Sequence, residues 1–305
     1  MSRRLFKIPL ESLNVLDAID RYGSFAGAAQ HLCVVTSSVT HSVKTLEEIL
    51  GITLFDRSGR RAHFTAEGRT ILERGRQLLA QVGEFNDGLQ LLATGWEPRL
   101  RIAADHVVRM ETLMSVLDEF YATTSDTALH ITQEAGSGCW DALLSGRTDL
   151  IVGAPAEGPP GGGYESIVMH EMRFVFAVAA SHPLARVEGE VTNEMVQSHR
   201  SVVISDTTLS LPRLRRGLLH NRDVLYVPNT MSKLQAILQG TSCGFLPRDL
   251  AAAHVEAGAL KILDVQIPHP PAESRIAWRT DEDGKALRWW IERLTAPRFD
   301  EQLFY

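Results

Sequence analysis

The sequence predicts an α/β protein headed by a winged helix-turn-helix, with a long linker helix leading to two α/β lobes. Three observations carry this. A helical apolar period, broken by Gly23-Ser24, runs through residues 10–50. Leu78, Val82, Phe85, Leu89 and Leu92 follow a 3.5-residue repeat. Beyond Pro98, short apolar runs alternate with helical stretches, the order that builds parallel sheets. With 305 residues, 44% hydrophobic and 22% charged, the chain has material for two or three cores.

In the head, Leu13, Leu16 and Ile19 set a first helix from Leu10, ended by Tyr22-Gly23. Ser24 caps a second, Phe25–Leu32, whose small Ala28-Ala29 pair lets a crossing helix come close. Cys33–Val35 form a three-residue turn, and Thr36 caps a third helix that runs to Leu50 before Gly51. Val39, Val43 and Leu46 are its buried stripe, while Thr36, Ser37, Ser38, Thr40, His41 and Lys44 face outward. Short donors, an imidazole and a cation near a helix N-terminus suit base edges in a major groove. Ile52–Phe55 and Ala62–Phe64 predict a wing with Arg57, Arg60 and Arg61 at its tip, placed to grip phosphates. Residues 1–70 hold nine Lys/Arg and seven Asp/Glu, so the head is +2 and the remainder −8 of a net −6.

The connector reads as one helix from Thr65 to Thr94. Its Leu78, Val82, Phe85, Leu89 and Leu92 make a seam for pairing two chains. Gly75, Gly83 and Gly88 each cost such a helix ~1 kcal/mol relative to Ala, so packing must hold it. Gly95-Trp96-Glu97-Pro98 reads as a hinge. In the sensor, strands Leu100–Ala104, Leu129–Gln133 and Leu150–Val152 alternate with helices Arg109–Ala122 and Trp140–Ser145. A second set comprises strands at 174–180, 201–205, 224–228 and 243–247, with helices Leu211–Leu219 and Met231–Leu238. A turn and strand within 256–265, then strand Ser274–Trp278 and helix Lys285–Leu294, complete it. Ligands of such sheets sit beyond the carboxyl ends of strands. Those ends present Asp105, His106, Gly136, Ser137, Ser205, Asp206, Thr207, Thr208 and Asn229, which suit a small polar ligand.

Other chemistries lack their signatures. Cys33, Cys139 and Cys243 are too scattered for zinc or a disulfide framework and fit a reducing cytoplasm. No HExxH or GK[ST] motif occurs and no serine is read on a nucleophile elbow, so no metal, cofactor or catalytic site is expected. The glycine-rich run 157–163 reads as an inter-lobe loop, and Trp289-Trp290 as a packed, half-exposed helix pair. The start lacks a secretory h-region and no apolar run reaches membrane-spanning length.

The head resembles the DNA-binding domain of the LysR-type transcriptional regulators. Gly23-Ser24-Phe25, Ala28-Ala29, Leu32, Leu46-Glu47, Leu50-Gly51, Leu54-Phe55, Arg57, Arg61, Thr65-Ala66 and Gly68 carry the likeness. Where that family often has Ser-Gln-Pro before its recognition helix, this chain has Val35-Thr36-Ser37, so docking mode follows from the resemblance but base preference does not. Trp140-Asp141 and Asp206-Thr207 further resemble a subgroup of purine-nucleoside and allantoin-utilisation regulators, with departures at Leu209 and Asn229. The resemblance implies a dimerising linker helix, tetramers, and a periplasmic-binding-protein-like effector domain with inducer between its lobes.

The expected division is 1–66 head, 67–97 linker helix and hinge, and 98–305 effector domain, with lobe I 98–169 plus 268–305 and lobe II 170–267. The expected function is a cytoplasmic, non-enzymatic transcriptional regulator. Its partners would be double-stranded promoter or operator DNA, a small polar metabolite, a homodimer or homotetramer mate and RNA polymerase, without a membrane. The alternative is a small-molecule-binding protein or enzyme on the lobes, with the head as an appendage.

Overall fold

The computed structural model describes residues 8–58, 62–156, 158–214, 223–267, 269–281 and 283–305. The chain divides into two units, Met1–Leu92 and Ala93–Tyr305. In the first, α1 (Leu10–Tyr22) buries Leu13, Leu16 and Ile19 and ends at Gly23 in the left-handed region (φ 67°). α2 (Phe25–His31) starts at Ser24, whose hydroxyl accepts the Gly27 N–H at 3.0 Å. α3 (Thr36–Leu50) departs from expectation at its start. The turn through Cys33 (φ 55°) leaves Val35 extended at the cap, so Thr36 falls inside the first turn and caps nothing. Val39, Val43 and Leu46 meet Leu16, Ile19, Ala28 and Ala29 in one core. Truncating a fully buried leucine such as Leu46 in such a core costs roughly 2–5 kcal/mol.

The wing is shorter than the sequence suggests. β1 (Phe55–Asp56) pairs antiparallel with β2 (His63–Phe64), while Ile52–Leu54 only approach it. The Glu47 carboxylate fixes that approach, accepting the N–H of Leu54 (2.7 Å) and of Phe55 (3.3 Å). α4 (Ala66–Thr94) follows, with the Thr65 hydroxyl accepting the Gly68 N–H at 3.0 Å. Arg76 on α4 donates to Asp17 (2.6 Å) and Asp20 (2.8 Å) of α1. Gly75 is explained by close packing: a Cβ there would lie 3.0 Å from Cδ2 of Leu13.

Lobe I opens the second unit. β3 (Arg99–Asp105) lies between β4 (Ala128–Glu134) and β5 (Leu150–Pro155), all parallel. Two helices replace the one expected over 109–122. α5 (Met110–Met114) stops at Ser115, whose hydroxyl donates to the Thr112 carbonyl at 2.7 Å, and α6 (Leu117–Thr123) restarts after it. α7 (Ser137–Leu144), almost wholly buried, links β4 to β5. The glycine-rich run does not join the lobes; it connects β5 to β6 (Tyr164–Met172) within one sheet.

A single residue, Arg173, separates β6 from β7 (Phe174–Ala179), the central strand of lobe II. A 3-10 turn at Pro183–Arg186 and α8 (Asn193–Gln197) follow. β8 (Ser201–Ile204) pairs in parallel with β9 (Val224–Val227). Of the helix expected over Leu211–Leu219, residues 211–214 are not helical and 215–219 lie outside the described residues. α9 (Thr230–Leu238) is capped by the Asn229 side chain, which accepts the Ser232 N–H at 2.9 Å. β10 (Gly244–Pro247) and β11 (Leu260–Leu263) flank β7 antiparallel, joined by α10 (Arg248–Glu256), a helix not foreseen from the sequence. β12 (Ala272–Arg279) returns antiparallel between β5 and β6, giving the lobe I order β4-β3-β5-β12-β6. α11 (Lys285–Leu294) buries Trp290 fully and Trp289 partly, and α12 (Asp300–Leu303) closes the lobe.

The expected hinge at Gly95–Pro98 is fastened within the second unit. Glu97 is buried, and its carboxylate accepts the N–H groups of Ala286 (2.9 Å) and Leu287 (3.0 Å) at the start of α11. An anion on those unpaired donors stabilises the helix twice, by hydrogen bonding and by the macrodipole. Gly284 lies so close to this carboxylate that no Cβ fits. Glu97→Ala is expected to lower the stability of the second unit by about 1–2 kcal/mol in urea unfolding. Glu97→Gln, which keeps an acceptor, should lose less. An unchanged midpoint for the alanine variant would refute the cap.

Candidate DNA-facing helix and interlobe cleft

On α3, Thr36, Ser37, Ser38, His41 and Lys44 are exposed, opposite the buried Val39, Val43 and Leu46. Thr40 is half-buried and its hydroxyl donates to the Thr36 carbonyl at 3.0 Å. Lys44 lies 3.9 Å from Glu48, both exposed; such a pair contributes under ~0.5 kcal/mol and does not tie the cation down. Arg57 sits 3.7 Å from Glu47 and over the Phe25 ring at 5.6 Å, with nearly half its side chain exposed. Arg60 and Arg61 lie outside the described residues. Along α4, Leu78, Phe85, Leu89 and Leu92 are 44%, 66%, 49% and 85% exposed, and Val82 is half-buried.

In the second unit a cavity of about 170 Å³ opens between the two sheets. Of the strand-end candidates, Asp105, His106, Gly136 and Asp206 line it. Ser137, Ser205, Thr207, Thr208 and Asn229 are not among its walls, and hydrogen bonds account for four of these. Residues 205–214, which follow β8, lie as a strap against lobe I. Asp206 accepts the Ser137 N–H at the start of α7 (3.0 Å) and the Leu214 N–H (2.9 Å). Thr207 accepts the Ala135 N–H (3.0 Å) and donates to Glu134. Thr208 N–H turns back to Asp206 (3.0 Å), and the Ser137 hydroxyl donates to the Pro212 carbonyl (2.6 Å). Asn229 donates to Gln133 (3.3 Å). Further along, Asp141 accepts the N–H of Leu209 (3.1 Å) and of Ser210 (3.2 Å). Arg147 holds Glu134 (2.8 Å) and Asp141 (3.0 Å) together beneath the strap. Burial alone would raise the Asp141 carboxyl, but hydrogen bonds from Ser210, Leu209 and Arg147 hold it below the usual range.

His106 and Thr230 make a second bridge between lobes, with Nδ1 2.9 Å from the Thr230 Oγ1 and that hydroxyl donating to the His106 carbonyl at 2.6 Å. Burial pulls the His106 imidazole below its ordinary value and pushes the Asp105 carboxyl up; each is partly offset by the other. Lys233, Met172, Phe174, Phe245, His269 and Ser274 also line the cavity, although none stands among the strand-end candidates. Lys233 had a legible signal: with Thr230, Leu234 and Ile237 it falls on one face of α9, the face the core covers. Met172 ends β6, a strand the sequence did not reveal, and the others sit on or beside the crossing strands, away from their carboxyl ends. Among the described residues no His/Cys/Asp/Glu group could hold a metal ion, and no helix is long and apolar enough to cross a membrane.

A winged helix-turn-helix carried with a two-lobed α/β fold that encloses a cavity defines a DNA-binding regulator with a ligand-sensing domain. Residues 10–69 match the bacterial regulatory helix-turn-helix protein family of lysR type, and residues 93–297 match the LysR substrate binding domain. The chain belongs to the LysR family of transcriptional regulators. It is 34% identical over 283 residues to the regulator PunR of Escherichia coli K12, covering 93% of this chain and 91% of that one. It is 35% identical over 289 residues to YeeY of the same strain, covering 94% and 93%. These relatives are named transcriptional regulators, not enzymes. Full-length CbnR, solved in complex with its target DNA, shares the fold at a TM-score of 0.56 and 18% identity, over 94% of this chain and 100% of CbnR.

The seating of the strap can be probed at Gly138, where a Cβ would overlap the Thr207 Oγ1. Gly138→Ala should therefore lift the strap and speed limited proteolysis within 205–214 several-fold. Equal cleavage rates in variant and wild type would show that the strap is not held there.

Proposed function

We propose that two copies of this chain pair through α4 and present their α3 helices to dyad-related half-sites of a promoter or operator. A small polar metabolite bound between the lobes then switches the assembly. The observation that carries the DNA reading is the outward polar face of α3, backed by a fully buried apolar stripe. Thr36, Ser37, Ser38, Thr40, His41 and Lys44 would meet base edges and flanking phosphates, while Arg57, Arg60 and Arg61 would hold the backbone. The row of exposed apolar side chains from Leu78 to Leu92 supports the pairing, because a solitary helix does not keep such a row in water. Gly83 and Gly88 meet nothing within 4 Å among the described residues, which leaves room for a partner helix to approach.

The effector would act by population shift. A ligand that binds the closed lobes more tightly than the open ones moves the equilibrium by that difference alone, and DNA geometry follows the subunit arrangement. The setting would be the cytoplasm, with RNA polymerase as a further partner and tetramers as the larger assembly.

Two measurements test this reading. Arg60→Ala combined with Arg61→Ala should weaken binding to all DNA sequences alike and flatten the salt dependence by about 0.9 for each phosphate no longer neutralised. A changed sequence preference with an unchanged salt slope would overturn the wing assignment. Phe85→Glu should turn the paired species into monomer in sedimentation velocity, and a persisting dimer would exclude the α4 seam.

A further inference from the structure

The interlobe cavity carries an uneven charge pattern. Three carboxylates line it, and each is already satisfied. Asp105 accepts the Val107 N–H (3.1 Å) and the Cys139 thiol (3.4 Å). Asp206 accepts the N–H groups of Ser137, Thr208 and Leu214 at 3.0, 3.0 and 2.9 Å. Glu273 pairs with Arg275 at 2.6 Å. Lys233 is different. Among the described residues it has neither a carboxylate within 4.0 Å nor a hydrogen-bond acceptor for its ammonium, although it lines the cavity. His106 adds no second cation. Burial holds its imidazole below the ordinary value, which favours the neutral ring, and Nδ1–H donates to Thr230, whose own proton goes to the His106 carbonyl. A further polar group awaits a partner: the Ser274 hydroxyl, 2% exposed, lines the cavity with no hydrogen bond. Much of the wall is apolar or aromatic, with His269 lodged between Phe174 (4.7 Å) and Phe245 (4.4 Å).

Building on the reading of this cleft as the effector site, we propose that its ligand is a small organic carboxylate. Lys233 receives the anion, Ser274 meets a second polar group, and Phe174, His269 and Phe245 cover a flat or apolar body. A half-buried cation without a counterion is costly to the empty protein and is relieved by an anion, which gives the ligand charge its selectivity. Neutral amides of the same shape leave that cost in place, and cationic analogues raise it.

Protonation of Lys233 supplies an independent readout. Burial pulls it from 10.5 down to about 8, and the titratable groups around it are Cys243 beside it, His106 across the lobe boundary, and Asp105, Asp206, Glu273 and His269 on the cavity wall. The folded value lies below the unfolded one, so the unfolded chain binds more protons between them. Wild type therefore gains stability relative to Lys233→Met as pH rises from about 8 to 10.5. Carboxylate binding should weaken over the same range, by up to about tenfold per pH unit.

The experiment is a thermal-shift screen and titration of the full-length protein. Its panel holds aromatic, heteroaromatic and short aliphatic acids, from benzoate and nicotinate to glutarate, each beside its primary amide. Acids are expected to raise Tm, with their amides at least tenfold weaker. Lys233→Met should melt at or above wild type, because it removes a half-buried charge with no counterion, yet bind the acids at least tenfold more weakly. Lys233→Arg should recover part of the loss. Amides binding as well as acids, or acids binding Lys233→Met unchanged, would overturn the carboxylate proposal. In that case Phe245→Ala still reports on the cleft, since weaker binding there keeps the effector-site reading alone. If no compound of either kind shifts the wild type, both readings fall.

Discussion

The second unit depends on how the strap at 205–214 meets the start of α7. Asp206 places a carboxylate on the Ser137 N–H, where a helix offers unpaired donors and the positive end of its dipole. The approach requires Gly136, in the left-handed region (φ 62°), and Gly138, each of which faces strap atoms where a side chain would clash. Beneath it Arg147 draws Glu134 and Asp141 together, so the strap rests on carboxylates that are already compensated. Polar groups that could have met a ligand are occupied in joining the lobes, and among the described residues the cavity keeps the Lys233 ammonium and the Ser274 hydroxyl without partners.

That arrangement explains which parts were legible in the sequence. The head was, because each helix carries a local period and a local stop: Leu13, Leu16 and Ile19 before Gly23, then Val39, Val43 and Leu46 before Gly51. The buried strands β3, β5, β7 and β10 were also legible, since strands covered on both faces read as apolar runs. β6 was not. It is an edge strand whose burial alternates, and its polar residues hide it behind the glycine-rich run.

The site was harder to read than the fold. Strand ends pointed to the part of the fold where the cavity lies, but hydroxyls and carboxylates there serve equally as ligand groups and as ties between lobes. Sequence offers no way to separate these uses, because the partners lie about 70 residues apart, as Ser137 and Asp206 do. Phe174, Ser274 and Lys233 converge through three separate chain crossings. Lys233 was the exception that periodicity could have exposed, being a cation on the covered face of α9.

The two passages between the lobes are unequal. One is Arg173 alone, whose carbonyl is held by the Arg248 N–H at 2.8 Å. A one-residue spacer spans roughly 3.3 Å and has two backbone torsions, so it offers almost no slack. The other passage, from β11 to β12, has eight residues, 264–271. A swing of one lobe against the other would therefore have to pivot at Arg173, where the chain has least freedom to stretch.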